Sequence, residues 1–238
     1  MKISLVIPAH NEESYIGSCI EHAIRNSKGK LHEIIVVDNA STDKTREVAE
    51  SKGVKVVYEG KKGTNAARER GLKEATGDFV AFFDADTRMP DFWLEKAEEV
   101  FAARPKAVCL SGPYRYYDGS MWENMLMNTL WYLTAPLMYR IVGYMVLGGN
   151  FIVKREALLG IGGFDTSIGF YGDDTDIARS LSAAGKVVFR MDFFIYSSSR
   201  RLKKEGLFMP NIRYGMNFIW GVLFHRPFTK SSTDIRIK

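Results

Sequence analysis

The stretch Phe79-Val80-Ala81-Phe82-Phe83-Asp84-Ala85-Asp86 decides the fold. Its five apolar residues have the length of a strand, too short for a typical helix, and lie between Gly77 and Met89-Pro90. A run without alternation suits a strand covered on both faces, as in a parallel sheet sandwiched by helices. It ends in two carboxylates one residue apart, and the carboxyl ends of such strands are where open α/β sheets bind ligands. Asp84 and Asp86 there can turn toward one hard cation carrying phosphate oxygens. A solvated turn before a helix with Pro90 at its first position accounts for the same residues, so the rest of the chain has to decide.

Working outward, strand and helix alternate on the N-terminal side. Lys2 to Ile7 reads as a buried strand broken by Pro8-Ala9-His10-Asn11, and Ile16, Cys19, Ile20, Ala23 and Ile24 mark an amphipathic helix to about Ser27. Glu33 to Val37 is a strand ending on Asp38. Ser41 or Thr42 is placed to cap the next helix, which stops at Gly53. Val54 to Tyr58 is a third strand, Gly60 to Gly63 a basic glycine loop, and residues 65 to 75 a helix. Right-handed crossovers make this a parallel sheet with helices on both faces, its polar strand ends (His10-Asn11-Glu12, Asp38-Asn39, Asp84-Ala85-Asp86) on one rim. The glycines spell neither a dinucleotide fingerprint nor a phosphate-binding loop with its lysine.

On the C-terminal side, Pro90 to Ala103 reads as a helix and Ala107 to Ser111 as a strand. Met121 to Leu147 is rich in Met, Trp and Tyr, but Glu123, Asn124, Asn128, Pro136, Arg140 and Gly143 leave no uninterrupted span of membrane-crossing length. A buried helical hairpin, a subunit interface in a homo-oligomer and a helix lying in a bilayer surface all fit. Phe151 to Val153 is a strand followed by a helix from about Arg155. Gly169-Phe170-Tyr171-Gly172 leads into Asp173-Asp174-Thr175-Asp176, which opens a helix to Gly185. Val187 to Arg190 and Phe193 to Tyr196 read as closing strands.

The chain has 238 residues, and its net charge of +5 is uneven: nine Lys/Arg face two Asp/Glu from Arg200 to Lys238, a net of +7, so residues 1 to 199 sum to −2. A basic tail points to a phosphate-bearing surface, an anionic membrane among them, and no zinc finger, helix-turn-helix or RNA-binding aromatic motif suggests a nucleic-acid partner. Cys19 and Cys109, the only cysteines, read as reduced core residues. Ile3 to Ile7 is too short for a signal-peptide core, so a cytoplasmic location is expected, peripheral at the membrane's inner face if the tail binds lipid.

Six motifs in order carry a resemblance to a known family: Val6-Ile7-Pro8-Ala9-His10-Asn11-Glu12-Glu13, Val36-Val37-Asp38-Asn39-Ala40-Ser41-Thr42-Asp43, Ala67-Arg68 before Gly71, Asp84-Ala85-Asp86, Gly162-Gly163-Phe164-Asp165 and Gly172-Asp173-Asp174-Thr175-Asp176. Over about residues 3 to 190 the chain resembles the family 2 glycosyltransferases. The resemblance implies a GT-A fold: a mostly parallel sheet flanked by helices, with a nucleotide-sugar-binding half (1–110), a fused acceptor-binding half (111–199) and here a helical basic tail (200–238). It implies inverting transfer from a nucleoside diphosphate sugar, UDP first, to an acceptor hydroxyl, on a lipid-linked or membrane-proximal glycan if the tail meets a membrane. Pro8, Ala9 and Glu12 match the nucleoside pocket, Asp38 the base-binding acid, and Arg68 a residue near the base or phosphates. Asp84, Ala85 and Asp86 match the metal motif, with Asp86 the direct ligand to Mg²⁺ or Mn²⁺ and Asp84 beside it. Asp174 matches the general base, with Asp173 where Glu is commoner, and Gly149 and Asn150 fall on the acceptor side. A nucleotidyltransferase of related fold and a non-catalytic nucleotide-sugar-binding subunit are the rivals. The first would carry a glycine- and arginine-rich loop where Pro8 to Glu13 stand, and the second would not need Asp86 and Asp174.

Overall fold

The computed structural model describes residues 1–168, 172–206 and 208–224; the stretch 169–171 that leads into Gly172 and the end of the basic tail, 225–238, lie outside them. The first half runs β1 (Ile3–Ala9), α1 (Ile16–Ser27), β2 (Glu33–Asp38), α2 (Thr45–Glu50), β3 (Lys55–Tyr58), α3 (Thr64–Glu74), β4 (Phe79–Phe83), β5 (Thr87–Arg88) and α4 (Trp93–Ala103). The second continues with β6 (Ala107–Ser111), β7 (Tyr114–Tyr116), α5 (Met121–Val142), β8 (Asn150–Lys154), α6 (Arg155–Gly160), α7 (Asp173–Ala184), β9 (Lys186–Phe189), β10 (Ile195–Ser197), α8 (Arg200–Glu205) and α9 (Phe208–Phe224).

Seven strands form one sheet in the order β3-β2-β1-β4-β8-β6-β9, with β4 at its centre. The β1, β2, β3 and β4 pairings are parallel; β8 runs antiparallel to both its neighbours, and β6 pairs parallel with β9. Both faces are covered, as the unalternating run in β4 requires. Val80 and Phe82 pack with Ala67 and Leu72 of α3, Leu158 of α6 and Leu181 of α7. Ala81 and Phe83 join Ile16 and Ile20 of α1 and Trp93 and Ala97 of α4. Burying each large side chain contributes about 1.5–3 kcal/mol, so the residues that place the polar rim also anchor the fold. Both cysteines are buried and unbridged, burial pushing the Cys19 thiol up to about 12.

Several local expectations need correcting. Pro8 and Ala9 continue β1, because an edge-free parallel partner on β2 pairs through Ala9 and Asp38. Neither Ser41 nor Thr42 caps α2; Asp43 accepts hydrogen bonds from the Thr45 N–H and hydroxyl. Pro90 precedes α4 by three residues. Ile24 leaves the buried stripe of α1 and is exposed. Phe193 and Phe194 are core residues outside any strand; only Ile195–Ser197 pairs, in a small second sheet β5-β10-β7 that sequence periodicity did not reveal. Met121 to Leu147 is no hairpin but one 22-residue helix, opened by a capping box between Ser120 and Glu123 and closed by Gly143 in the left-handed conformation.

Asn150 is the firmest correction. Its side chain is fully buried, accepts the Trp93 indole N–H at 2.9 Å and donates to the carbonyls of Gly112 at 3.0 Å and Phe193 at 2.8 Å. It ties β8 to the core and offers nothing to an acceptor. Asn150→Ala leaves three buried polar groups unpaired, each costing about 1–3 kcal/mol. A loss of at least about 3 kcal/mol in urea unfolding is expected, against little change for an exposed control such as Glu156→Ala.

Candidate active site

The carboxyl ends of β1, β2 and β4 open onto a cavity of about 330 Å³, closed from the other side by the 146–149 loop, the start of α7 and helices α8 and α9. That volume is at the lower end of the range for small-molecule sites. Pro8, Ala9, Glu12, Arg68, Asp84, Ala85, Asp86, Gly149, Asp173 and Asp174 all line it. Asp38 does not: it is buried at the end of β2, accepting the Ser41 N–H at 3.1 Å, and the neighbouring Asn39 reaches the cavity instead. Asn39 donates to the Glu59 and Lys61 carbonyls and accepts the Gly63 N–H at 2.8 Å, which organises the glycine loop before α3.

Arg68, buried on α3, is the centre of the site. Nη1 donates to Asp173 Oδ2 at 2.8 Å and lies 3.5 Å from Asp174 Oδ1, while Nη2 is 4.0 Å from Asp84 Oδ1. Burial works against the guanidinium charge, yet Asp173, Asp174 and Asp84 together hold its pKa above the usual value. Gly148 and Gly149 make this approach feasible. A Cβ at Gly148 would overlap the Arg68 guanidinium and the Asp174 carboxylate, and one at Gly149 would overlap Asp84. Freed of side chains, the Gly148 N–H donates to Asp174 Oδ2 at 2.9 Å and the Gly149 N–H to the Tyr114 hydroxyl at 2.8 Å. Asp174 Oδ1 is buried without accepting a hydrogen bond. Burial first, then the neighbouring Asp173 charge, pushes the Asp174 carboxyl up to about 7, with Arg68 and the Gly148 N–H resisting. Asp176 turns away, pairing with Arg179 at 2.6 Å.

The opposite wall holds a second cation that sequence reasoning placed only in a basic cluster. Arg200, at the start of α8, donates to both oxygens of Glu12 at 2.7 and 2.6 Å. Its Nε lies 2.9 Å from Asp86 Oδ2, and the guanidinium sits over the Tyr15 ring at 4.5 Å. Burial nevertheless pushes the Asp86 carboxyl up to about 7; Arg200 opposes that rise, and Asp84 and Glu12 add to it. The one signal that could have singled out Arg200 is its position directly after Ser197-Ser198-Ser199, where β10 ends beside Asp86: the Ser198 N–H donates to the Asp86 carbonyl.

Asp84 and Asp86 are the carboxylates at the cavity that could hold a divalent cation. Asp84 keeps 44% of its side chain exposed to the cavity, with the Tyr114 hydroxyl 3.5 Å away. Among the described residues no three His, Cys, Asp or Glu side chains are grouped to enclose a metal. Two hard oxygen donors on an open cavity fit a Mg²⁺ or Mn²⁺ ion whose remaining shell is phosphate and water, and do not fit a closed structural site. Arg200 must yield or share Asp86 for such an ion.

Comparison with known proteins identifies the family and the fold. The Glycosyl transferase family 2 profile matches residues 4–162, more than half of the chain. The chain belongs to glycosyltransferase family 2. Among curated members, it is 38% identical over 129 residues to a dolichol-phosphate mannosyltransferase of Pyrococcus furiosus, covering 52% of this chain and 36% of that protein. It is 32% identical over 116 residues to a putative teichuronic acid biosynthesis glycosyltransferase of Bacillus subtilis, 46% of each chain. The matched segments thus span less than half of these relatives. Among solved family-like folds, glucosyl-3-phosphoglycerate synthase from Mycobacterium tuberculosis, in complex with Mn²⁺, UDP and phosphoglyceric acid, superposes with a TM-score of 0.66 at 22% identity over 97% of this chain and 80% of that one. A mannosyltransferase from Pyrobaculum calidifontis in complex with GDP-Man and Mn²⁺ gives 0.65 at 23% identity, covering 83% and 56%. These superpositions establish the GT-A fold.

The raised carboxyls set the pH dependence of stability. A group such as Asp174, with a folded pKa of about 7, holds a proton between pH 4 and 7 that the unfolded chain has released. Stability of the ligand-free protein is therefore expected to fall as pH rises from 5 to 7 and to level off above. In Asp174→Asn the fall should be shallower, a comparison read from urea midpoints at each pH.

Proposed function

We propose that this chain is an inverting glycosyltransferase that moves a sugar from a nucleoside diphosphate sugar, UDP-linked in the first instance, to an acceptor hydroxyl. The observation that carries the reading is the convergence on one buried guanidinium of Asp84, from the end of β4, and Asp173 and Asp174, from the start of α7. A transfer with inversion needs charge neutralisation on the leaving side and a base on the opposite side, and these carboxylates come from separate parts of the chain. In this reading residues 1–110 bind the donor, 111–199 receive the acceptor, and α8 and α9 of the basic tail border the cavity between them.

Donor binding falls to the rim formed by Pro8, Ala9, Glu12 and Asn39, with Asp38 supporting the loop beneath. Asp84 and Asp86 would hold the divalent ion, which when bound supplies positive charge to the diphosphate oxygens as the leaving group departs. Arg200 adds a second cation on that side. The Asp174 carboxylate takes the proton of the acceptor hydroxyl as that oxygen bonds to the anomeric carbon. The bond to the diphosphate breaks with its electron pair leaving on phosphate oxygen. Asp173 and Arg68 hold the base in place, and the N–H of Gly148 orients its Oδ2. The complexes with UDP and GDP-Man and Mn²⁺ formed by proteins of the same fold support this choice of donor and ion.

Nucleotide-sugars assayed for binding and transfer with Mn²⁺ test the proposal, and failure of every donor to bind would sink it. Asp174→Asn is expected to keep donor affinity and to lower transfer roughly a hundredfold or more. In the wild type the rate should climb with pH through about 7, as Asp174 loses its proton. Asp86→Asn should remove the dependence of nucleoside diphosphate affinity on Mn²⁺ seen on adding EDTA; equal dependence in both proteins would remove Asp86 from that role.

A further inference from the structure

The outward face of α5 breaks the ordinary rule for a surface helix, which turns charge to water. Trp122, Leu126, Leu133, Leu137 and Ile141 all project on its exposed side, with exposures of 74% at Trp122, 68% at Leu133 and 70% at Ile141. The buried side is narrow, carried by Met127 and Ala135 with Trp131 and Met138. On α9, Ile212, Met216, Ile219 and Leu223 recur at helical spacing and are exposed as well, while Asn217 and Gly221 face inward. Phe218 of α9 packs on the same small cluster as Trp131 of α5, so the two helices are neighbours. Both residues also line the cavity.

We propose that the outward faces of α5 and α9 seat this protein on an anionic lipid surface, with the cavity opening beside the headgroups. The helix is built for an apolar medium. Two hydroxyls exposed on α5 are satisfied without water, Thr129 donating to the Met125 carbonyl at 2.8 Å and Thr134 to the Leu130 carbonyl at 2.6 Å. Its own charges lie at the ends, Glu123 in the first turn, held in the capping box, and Arg140 exposed in the last. Beside the first turn stands Lys203 of α8, which donates to the Asp118 carbonyl at 2.8 Å and lies 3.4 Å from the Asp118 carboxylate. Long basic side chains at the ends of an apolar face reach up to phosphate headgroups while the middle enters the acyl boundary. No described helix is long and apolar enough to cross a membrane, so the face lies in the surface.

A second copy of the chain is the competing occupant. Two-fold pairing through these helices would bring two basic segments together, each net +4 from Arg200 to Phe224. An anionic surface neutralises that charge where a second copy doubles it. Seating there favours an acceptor that is itself lipid-linked or membrane-proximal. That last step rests on the proposed transfer reaction; the seating does not and is measured without substrate.

The full chain is mixed with vesicles of phosphatidylcholine alone and of phosphatidylcholine with phosphatidylglycerol, then sedimented. Binding to the anionic vesicles is expected, weakened roughly tenfold or more by high salt and again by Leu133→Glu with Leu137→Glu. Brominated phosphatidylcholine included in the anionic vesicles should quench part of the tryptophan emission, and Trp122→Phe should remove that part. The quenching keeps the test decisive if the double variant folds poorly. Protein left in the supernatant, binding indifferent to phosphatidylglycerol, or absence of quenching each overturns the proposal. So does a dimer in analytical ultracentrifugation that the double variant converts to monomer.

Discussion

The Arg68 guanidinium is buried, and three carboxylates are gathered so that it stays charged there. Desolvating a cation in a protein interior costs several kcal/mol, and one partner rarely offsets that. Asp84, Asp173 and Asp174 do so together, and in return two acids that follow one another in sequence are held close without flying apart. The arrangement also explains the two glycines of the 146–149 loop. Any side chain at Gly148 or Gly149 would occupy the space of the guanidinium or of a carboxylate, so the backbone itself becomes the wall and its N–H groups the donors. Breaking a buried ion cluster by removing one member costs more than the cluster contributes to stability. Such a device is kept for position, not strength.

Position is delivered by the sheet. β4 puts Asp84 and Asp86 at the cavity floor because both its neighbours are locked in register, β1 in parallel and β8 in antiparallel. The reversal at β8 lets the chain enter the sheet from the cavity side, which sets the 146–149 loop over the same rim on which β1 and β4 end. A wholly parallel sheet would have carried that loop to the opposite edge. Asn150, at the first position of β8, holds the entry with three buried hydrogen bonds to Trp93, Gly112 and Phe193.

Much of this was legible in the residues. The alternating units from β1 to β4 and the acids of Asp84 to Asp86 and Asp173 to Asp174 declare themselves, because hydrophobic period and strand length are local signals. What was hidden depends on distant partners. Nothing near Asn150 in sequence says that it reaches Trp93, so an asparagine beside two glycines looked like a binding residue. Arg200 lies among four basic residues and is distinguished only by Glu12 and Asp86, far upstream. The strands β5, β7 and β10 are two or three residues long and carry no readable period. In α5 the apolar content was plain, but its distribution into a narrow buried side and a broad exposed one required the packed structure.

The pairing of Arg200 with Glu12 spans 188 residues. Loop closure entropy grows only with the logarithm of that span, so the contact is thermodynamically easy but kinetically late. During synthesis the units from β1 to β4 emerge and can pair while Arg200 has yet to be made. A nascent chain therefore carries a formed sheet and an unfinished cavity: Glu12 and Asp86 wait for their cation until α8 leaves the ribosome. Competence arrives with the last helices rather than accumulating along the chain.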